Sequence, residues 1–243
     1  MTGEATDGAT TGDIAEDLSK RHIRSFAMRR GHVTAAQRRA YSELVPGLCV
    51  PYAKTALDTP SIFGRNAPLV LEIGFGMGET TARIAAQCPD IDFLGVEVFM
   101  AGIGALARRV HEAGLVNIRI IEHDAVEVVR DMIAPGSLQG AHIFFPDPWP
   151  KARHRKRRLV QAAFVTELAR VMKPGAMMRF ATDWADYADQ TLCLLHRDAR
   201  FNWLAMQAQD WRTPPSDHVS TRYEQKRLGD CSPIWLEFQR TTA

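Results

Sequence analysis

From Leu69 onward, short apolar runs alternate with amphipathic stretches of helical length, and this alternation constrains the fold more than any other feature of the chain. Residues 69–73 form an apolar run that ends in a glycine cluster, which predicts a buried strand. Residues 79–87 follow as a helix stopped by Cys88 and Pro89. Further strands are expected at 91–96, 118–121, 141–145 and 176–181, and further helices at 99–112, 125–133, 159–172 and 184–197. Strands alternating with helices of these lengths imply an α/β, doubly wound, mostly parallel sheet covered on both faces. The pattern changes near the end. Residues 201–206 and 234–239 are strand-like with no regular helix expected between them, and are predicted to add an antiparallel hairpin at one sheet edge.

Upstream of this core the chain is organised by charge. Residues 1–19 hold five acids and no base, with little to bury, and read as a disordered acidic tail. Residues 20–39 hold seven bases and no acid. They open a basic extension and connector over 20–67, with a short helix at 34–46 capped by Thr34 and stopped near Pro46. The α/β domain is expected to span 68–243. A second basic zone, Lys151 to Arg158, holds six bases and a histidine. The formal net charge of only +2 therefore conceals two strongly basic zones, which point to a polyanionic partner. No run approaches a membrane span, and the N-terminus lacks the basic and apolar regions of a secretory signal. Cys49, Cys88, Cys193 and Cys231 have neither CxxC nor metal-ligand spacing, so reduced thiols, no metal and a cytoplasmic location are expected.

The first strand runs into Glu72-Ile73-Gly74-Phe75-Gly76-Met77-Gly78, which opens the first helix of the core. Glycines in a strand–turn–helix context let the backbone approach a nucleotide-like ligand. Position 79 is Glu, so the third glycine of the dinucleotide fingerprint is missing. Two carboxylates flanking the turn would repel a pyrophosphate. They suit S-adenosylmethionine, which carries a sulfonium and an ammonium and no phosphate, and they disfavour a nicotinamide-dependent oxidoreductase. Glu97, 23 positions after Gly74, stands where an acid accepts from ribose hydroxyls or favours a helix N-terminus. Asp124 is placed either to bond an adenine amino group or to cap the next helix.

The loop Phe144-Phe145-Pro146-Asp147-Pro148-Trp149-Pro150-Lys151 follows the fourth strand, beside the switch point where ligands sit in open α/β sheets. Its three prolines stiffen it and bias the residues before them toward extended backbone. Asp147 would then stand near the transferable methyl, and Trp149 would either stack on a base or pack inward. The basic run directly after the loop favours phosphate contacts.

These segments resemble the tRNA (guanine-N7)-methyltransferases. Pro146-Asp147-Pro148-Trp149-Pro150-Lys151 with His154, Lys156, Arg157, Arg158 and Leu159 carries the resemblance. So do the glycine loop, Gly95-Val96-Glu97, Thr182-Asp183, Thr221-Arg222-Tyr223-Glu224 and Arg24-Ser25-Phe26. It covers roughly residues 23–240 and implies a Rossmann-like methyltransferase sheet and transfer of a methyl group from S-adenosylmethionine to N7 of guanine 46 in the tRNA variable loop. Glu72, Gly74, Gly76, Gly78, Glu97, Asp124 and Asp147 would bind the cofactor, with Asp147 the catalytic group. Lys151, Asp183, Thr221, Arg222, Tyr223 and Glu224 would bind the substrate. Arg153, His154, Arg155, Lys156, Arg157 and Arg158 would contact the RNA backbone. Ala152, Arg155, the Cys231-Ser232-Pro233 insertion and the acidic tail depart from the family pattern in the RNA-facing details.

Guanine N7 carries a lone pair and no proton, so the expected chemistry needs alignment and charge stabilisation rather than a general base. Asp147, Asp183 and Glu224 are candidates to read the guanine N1–H and 2-amino donors, with Asp147 favoured nearest the methyl and Asp183 and Glu224 as the readers. Asp183 is also a candidate to cap the following helix. Trp149 and Tyr223 are candidate stacking partners for a displaced base. The alternative is another S-adenosylmethionine-dependent RNA or DNA base methyltransferase, since Asp147-Pro148-Trp149 loosely resembles the acid-Pro-Pro-aromatic loop of amino-group methylators. No obligate protein partner is expected, and the chain is read as a monomer or weak homodimer.

Overall fold

The computed structural model describes residues 25, 26 and 33–242, with Arg222 described by its backbone alone. The expected acidic tail and the basic residues up to Arg24, together with 27–32, lie outside the described residues.

Thr34 caps α1 (Ala35–Leu44) through a reciprocal box. Its hydroxyl accepts from the Gln37 N–H, and the Gln37 side-chain amide oxygen accepts from the Thr34 N–H. Pro46 then ends the helix in a 3-10 turn, Val45–Gly47. The connector contains a short helix, α2 (Thr59–Phe63), and touches the sheet through a parallel bridge between Cys49 and Ile120.

Five parallel strands follow: β1 (Leu69–Ile73), β2 (Asp92–Glu97), β3 (Ile118–Glu122), β4 (Leu138–Phe144) and β5 (Met172–Thr182). They are linked by α3 (Glu79–Gln87), α4 (Met100–Ala113), α5 (Ala125–Asp131) and α6 (Ala162–Val171), and α7 (Ala185–His196) follows β5. The last strand, β7 (Ile234–Arg240), lies antiparallel on β5, and β6 (Phe201–Trp203) lies antiparallel on β7. Among the described residues the sheet order is β3-β2-β1-β4-β5-β7-β6. The expected parallel core with an antiparallel C-terminal edge is therefore present. The segment between β6 and β7 is not free of helix, as the sequence led one to expect: it holds α8 (Ala208–Arg212) and α9 (Arg222–Gln225).

Side chains alternate across the sheet. Leu71, Leu94, Ile143 and Phe180 face α5, α6 and α7. Val70, Phe93, Ile118 and Ile120 face α3 and α4, where Ile84, Ile103, Leu106 and Val110 meet them. Gly104 of α4 lets α1 approach closely, since a Cβ there would lie 2.8 Å from the Gln37 carbonyl oxygen. Several boundaries differ from expectation, among them the start of β4 at Leu138 and the end of β6 at Trp203. Helix α6 begins at Ala162 rather than 159, since Gln161 is extended (φ -122°, ψ 162°) as its N-cap, and the Val160 N–H before it donates to the Tyr187 hydroxyl. Strand β5 starts at Met172 and carries an irregular exposed stretch through Gly175, at φ 83°, before its buried half.

The order reverses between β1 and β4, so the crevice at the carboxyl ends of these two strands is the place for a ligand. The glycine loop leaves β1 and the proline loop leaves β4 at that point.

Candidate active site

A cleft of about 270 Å³ opens there, lined by the glycine loop, Glu97, His123, Asp147, Thr221 and Tyr223 among others. Glu72 forms its floor. It is 3% exposed, and its Oε2 is buried without a hydrogen-bond partner. Burial pushes the carboxyl up to about 7, against the Thr81 hydroxyl and the charge of Arg179, with Glu97 adding a little to the shift. A buried carboxylate oxygen without a partner in a cleft is an unspent acceptor for a cationic ligand group.

The loop above it turns through left-handed backbone at Gly74, Gly76 and Gly78. Glu97 ties the loop to β2: one carboxylate oxygen accepts from the Gly76 N–H at 2.9 Å, the other from the N–H groups of Val98 and Phe99. Gly74 and Gly76 line the cleft. Gly78 does not line it. It serves packing, since a Cβ there would lie 2.7 Å from Leu106. Asp124 is buried and caps α5 by accepting from the Val126 N–H at 2.9 Å, while its neighbours His123 and Ala125 reach the cleft. Of its two sequence readings, the cap is the one seen in the hydrogen bonds. His123 stacks on Tyr52 of the connector at 3.7 Å and pairs with Glu127.

The proline loop departs from expectation in its backbone. Phe145 and Trp149 each precede a proline, yet stand at φ 51° and 41° rather than extended. Asp147 between them is half-buried and lines the cleft. Trp149 packs inward: its indole N–H donates to the Ser25 carbonyl at 3.0 Å, and the Arg157 guanidinium lies 3.6 Å from the ring centroid. It is thereby withdrawn as a base-stacking candidate.

The basic run folds as a 3-10 helix, Ala152–Arg157. Lys151, Arg153, Arg155 and Lys156 are exposed, and His154 and Arg157 are partly buried. Arg158 must be taken off the list of RNA contacts. Its side chain is 1% exposed. Its guanidinium donates to the Pro148 backbone carbonyl, both Asp186 carboxylate oxygens and the Gln190 side-chain amide oxygen, each at 2.8 Å. It fixes the far side of the proline loop.

The C-terminal segment reaches the cleft from the opposite side. On the sheet face of α3 and α4, a polar row runs through Glu72, His142, Arg179 and Glu237 on paired strands. Arg179 donates to both oxygens of Asp217, at 2.6 and 2.8 Å, and to Glu237 at 3.1 Å. The Thr80 hydroxyl donates to the Val219 carbonyl at 3.3 Å. These bonds seat residues 217–221 over the cleft. Thr221 caps α9, and the Glu224 carboxylate accepts from the Thr221 N–H at 2.8 Å while lying 2.9 Å from His218 Nε2. Burial works against ionisation of Glu224, but His218 and Thr221 hold its carboxyl below the usual range. Glu224 does not line the cleft; it holds Thr221, which does. Asp183 accepts from the Gly229 N–H at 3.1 Å and the Tyr223 hydroxyl at 3.4 Å, and burial pushes its carboxyl up. It does not cap α7: the cap residue is Trp184, and Asp230 accepts from the Ala185 N–H at 2.8 Å.

Comparison with known proteins decides the family. The family model described as putative methyltransferase matches residues 66–235. A tRNA (guanine-N(7)-)-methyltransferase of Burkholderia vietnamiensis is 51% identical over 244 residues, covering 100% of this chain and 93% of the relative. The enzyme of that name from Bordetella pertussis is 51% identical over 220 residues, covering 90% and 85%. The chain belongs to the tRNA (guanine-N7)-methyltransferase family. Solved structures share the fold at low identity. The 16S rRNA methyltransferase KamB has a TM-score of 0.55 at 14% identity, covering 76% of this chain and 94% of its own. An rRNA methylase from Streptococcus thermophilus has a TM-score of 0.50 at 12% identity, covering 87% and 100%.

For a methyltransferase of this family, one support of the glycine loop escaped sequence reasoning. Gly102 of α4 abuts the loop so closely that a Cβ would lie 2.1 Å from the Gly76 carbonyl oxygen. A glycine inside a helical pattern was the available sign. Gly102→Ala is expected to displace the loop and weaken S-adenosylmethionine binding by about 1–3 kcal/mol, the usual cost of overpacking. Calorimetric titration checks this; unchanged affinity would mean that the loop is not held by α4.

Proposed function

We propose that the protein transfers the methyl group of S-adenosylmethionine to N7 of guanine in tRNA, at position 46 of the variable loop. The observation that carries this reading is the cleft itself. The buried carboxyl of Glu72, with one oxygen unpartnered, lies in one cavity with Asp147, and an exposed cationic 3-10 helix follows the Asp147 loop. Glu72 and Glu97 would hold the ammonium and ribose ends of the cofactor, which supplies an electrophilic methyl when bound. The relatives' names direct that methyl to guanine N7 in tRNA.

N7 attacks through its own lone pair, so no residue must take a proton. The chain's residues align the base with the methyl, exclude water and offset developing positive charge. Alignment alone supplies about 7–11 kcal/mol of the barrier. Asp147, on a loop stiffened by three prolines, is the group assigned to the charge that forms on the purine. Thr221 and Tyr223 border the base side of the cleft, with Asp183 and Glu224 holding them through the bonds described above. Labelled-methyl transfer to bulk unmodified tRNA, followed by nucleoside analysis, tests the reading. Label in 7-methylguanosine supports it, and label in 6-methyladenosine overturns it.

The RNA surface is assigned to Lys151, Arg153, Arg155 and Lys156. Replacing Lys151, Arg153 and Lys156 with Ala is expected to lower the log–log salt slope of tRNA binding by about 0.7–0.9 per lost phosphate contact. A slope equal to that of the unaltered protein would make this helix an ordinary solvated face.

A further inference from the structure

The left-handed turn at Phe145 has a directional consequence. His142 and Phe144 on β4 face the α3 and α4 side of the sheet, their rings 5.2 Å apart. Alternation along an extended strand would send Phe145 to the opposite face, among the α5, α6 and α7 residues. Instead its N–H donates to the Ala181 carbonyl at 2.8 Å, and the backbone then turns to φ 51°. Phe144 and Phe145 consequently lie on one side: each meets the edge of Trp235, at 6.1 and 5.7 Å, and each lines the cleft.

This turn is costly twice over. A bulky side chain at positive φ is a steric outlier, and the residue before a proline is driven toward extended backbone. Such conformations persist where the surroundings enforce them, and they cluster at functional sites. The second strained residue of the loop, Trp149, has its occupation accounted for by Ser25 and Arg157. Phe145 is half-buried in the cleft wall between Phe144 and Asp147, with Tyr223 5.7 Å away at an interplanar angle of 46°.

We infer that the ring of Phe145 is the stacking surface for the target base. This inference rests on the base-methylation reading above. A base acted on at a ring atom in folded RNA leaves its neighbours in the stack, and an aromatic face replaces what it loses. The same face attracts the positive charge that N7 methylation places on the purine, so the contact strengthens toward the transition state. Phe145 is thus a substrate-contact residue next to Asp147, and the strained backbone is what aims it.

The test uses the full chain with Phe145→Leu, Phe145→Tyr and Phe145→Gly. Leu keeps apolar bulk without a π-face, Tyr keeps the face, and Gly relaxes the turn while removing the ring. For Leu and Gly, kcat/KM toward tRNA is expected to fall about 5- to 150-fold, the equivalent of about 1–3 kcal/mol of base–aromatic stacking. S-adenosylmethionine affinity should stay unchanged, and Tyr should keep kcat/KM within about threefold, since stacking tolerates any aromatic ring. Phe145→Leu at wild-type kcat/KM overturns the inference, as does a loss that falls in step with cofactor affinity in all three variants. Failure of the wild-type protein to form 7-methylguanosine strikes the functional reading itself. Wild-type activity retained in full by Phe145→Leu strikes only the stacking role.

Discussion

Glu72→Gln is expected to weaken S-adenosylmethionine binding by at least about thirtyfold at pH 8, and to make the cofactor-free protein less sensitive to pH. Both effects come from one buried carboxyl whose folded-state pKa is raised from 4.5 to about 7. Loss of a buried charge partner costs about 2 kcal/mol or more, which is the thirtyfold. For stability the raised pKa acts in the opposite sense to a paired carboxylate. Below pH 4.5 the group is neutral folded and unfolded, and nothing is lost. As the pH rises toward 7 the unfolded chain releases this proton while the fold retains it, so stability falls. The span of about 2.5 units corresponds to about 3 kcal/mol, complete above pH 7. The stability difference between wild type and Glu72→Gln should therefore change by about 3 kcal/mol between pH 4.5 and 8. That is about 6–12 °C in thermal midpoint for a chain of this size. The pH-independent cost of burying the amide cancels from that difference. Wild-type affinity for the cofactor should rise about tenfold per pH unit up to 7 and then level off. A pH-independent stability difference, or a flat affinity profile, would remove Glu72 from the cofactor's charge recognition.

Arg158→Ala is expected to lower stability by about 3 kcal/mol and methyl transfer with it, whereas Lys156→Ala should change stability by no more than about 0.5 kcal/mol. The two residues belong to one basic run, and burial separates them. The Arg158 fork satisfies the Pro148 carbonyl, Asp186 and Gln190, and lies 4.7 Å from the centroid of Tyr187. Removing it strands those acceptors. The estimate sits at the low end for a broken buried pair because Asp186 is 34% exposed and keeps Arg155 at 2.8 Å. Lysine should not rescue, since a point charge cannot serve a fork that spans the loop and α7. Thermal denaturation checks the claim, with an expected fall of about 6–12 °C. An unchanged midpoint with a reduced salt slope of tRNA binding would return Arg158 to the RNA surface.

Arg158 also marks where sequence reading stops. A run of like charges gives no sign of which member turns inward, because that depends on the direction of the chain after the proline loop. The strands and the glycine loop were legible because apolar periodicity and glycine placement are local properties, and the reversal at β1 and β4 followed from the general rule for open α/β sheets. The carboxylates were legible as residues, and the cap was among the readings of Asp124, but the hydrogen-bond duties of Glu224 and Asp183 were not. Asp124 spends a hydrogen bond on its helix, Glu224 holds Thr221 and His218, and Asp183 binds the Gly229 N–H. The proline rule failed at Phe145 and Trp149, where tertiary contacts outweigh the local preference for extended backbone. Arg179 and Asp217, 38 residues apart, seat the C-terminal segment through a pairing that no local pattern encodes. The local pattern marks Gly102 only as a glycine inside a helix, and its duty is set by the Gly76 carbonyl packed against it.

The most direct test of the account compares two unmodified tRNA transcripts, one with guanine and one with adenine at position 46, incubated with labelled S-adenosylmethionine and mapped by nucleoside analysis and site-specific strand scission. The account predicts label as 7-methylguanosine at position 46 of the first transcript and no label in the second. Equal labelling of both transcripts, or label in any other methylated nucleoside, would contradict it.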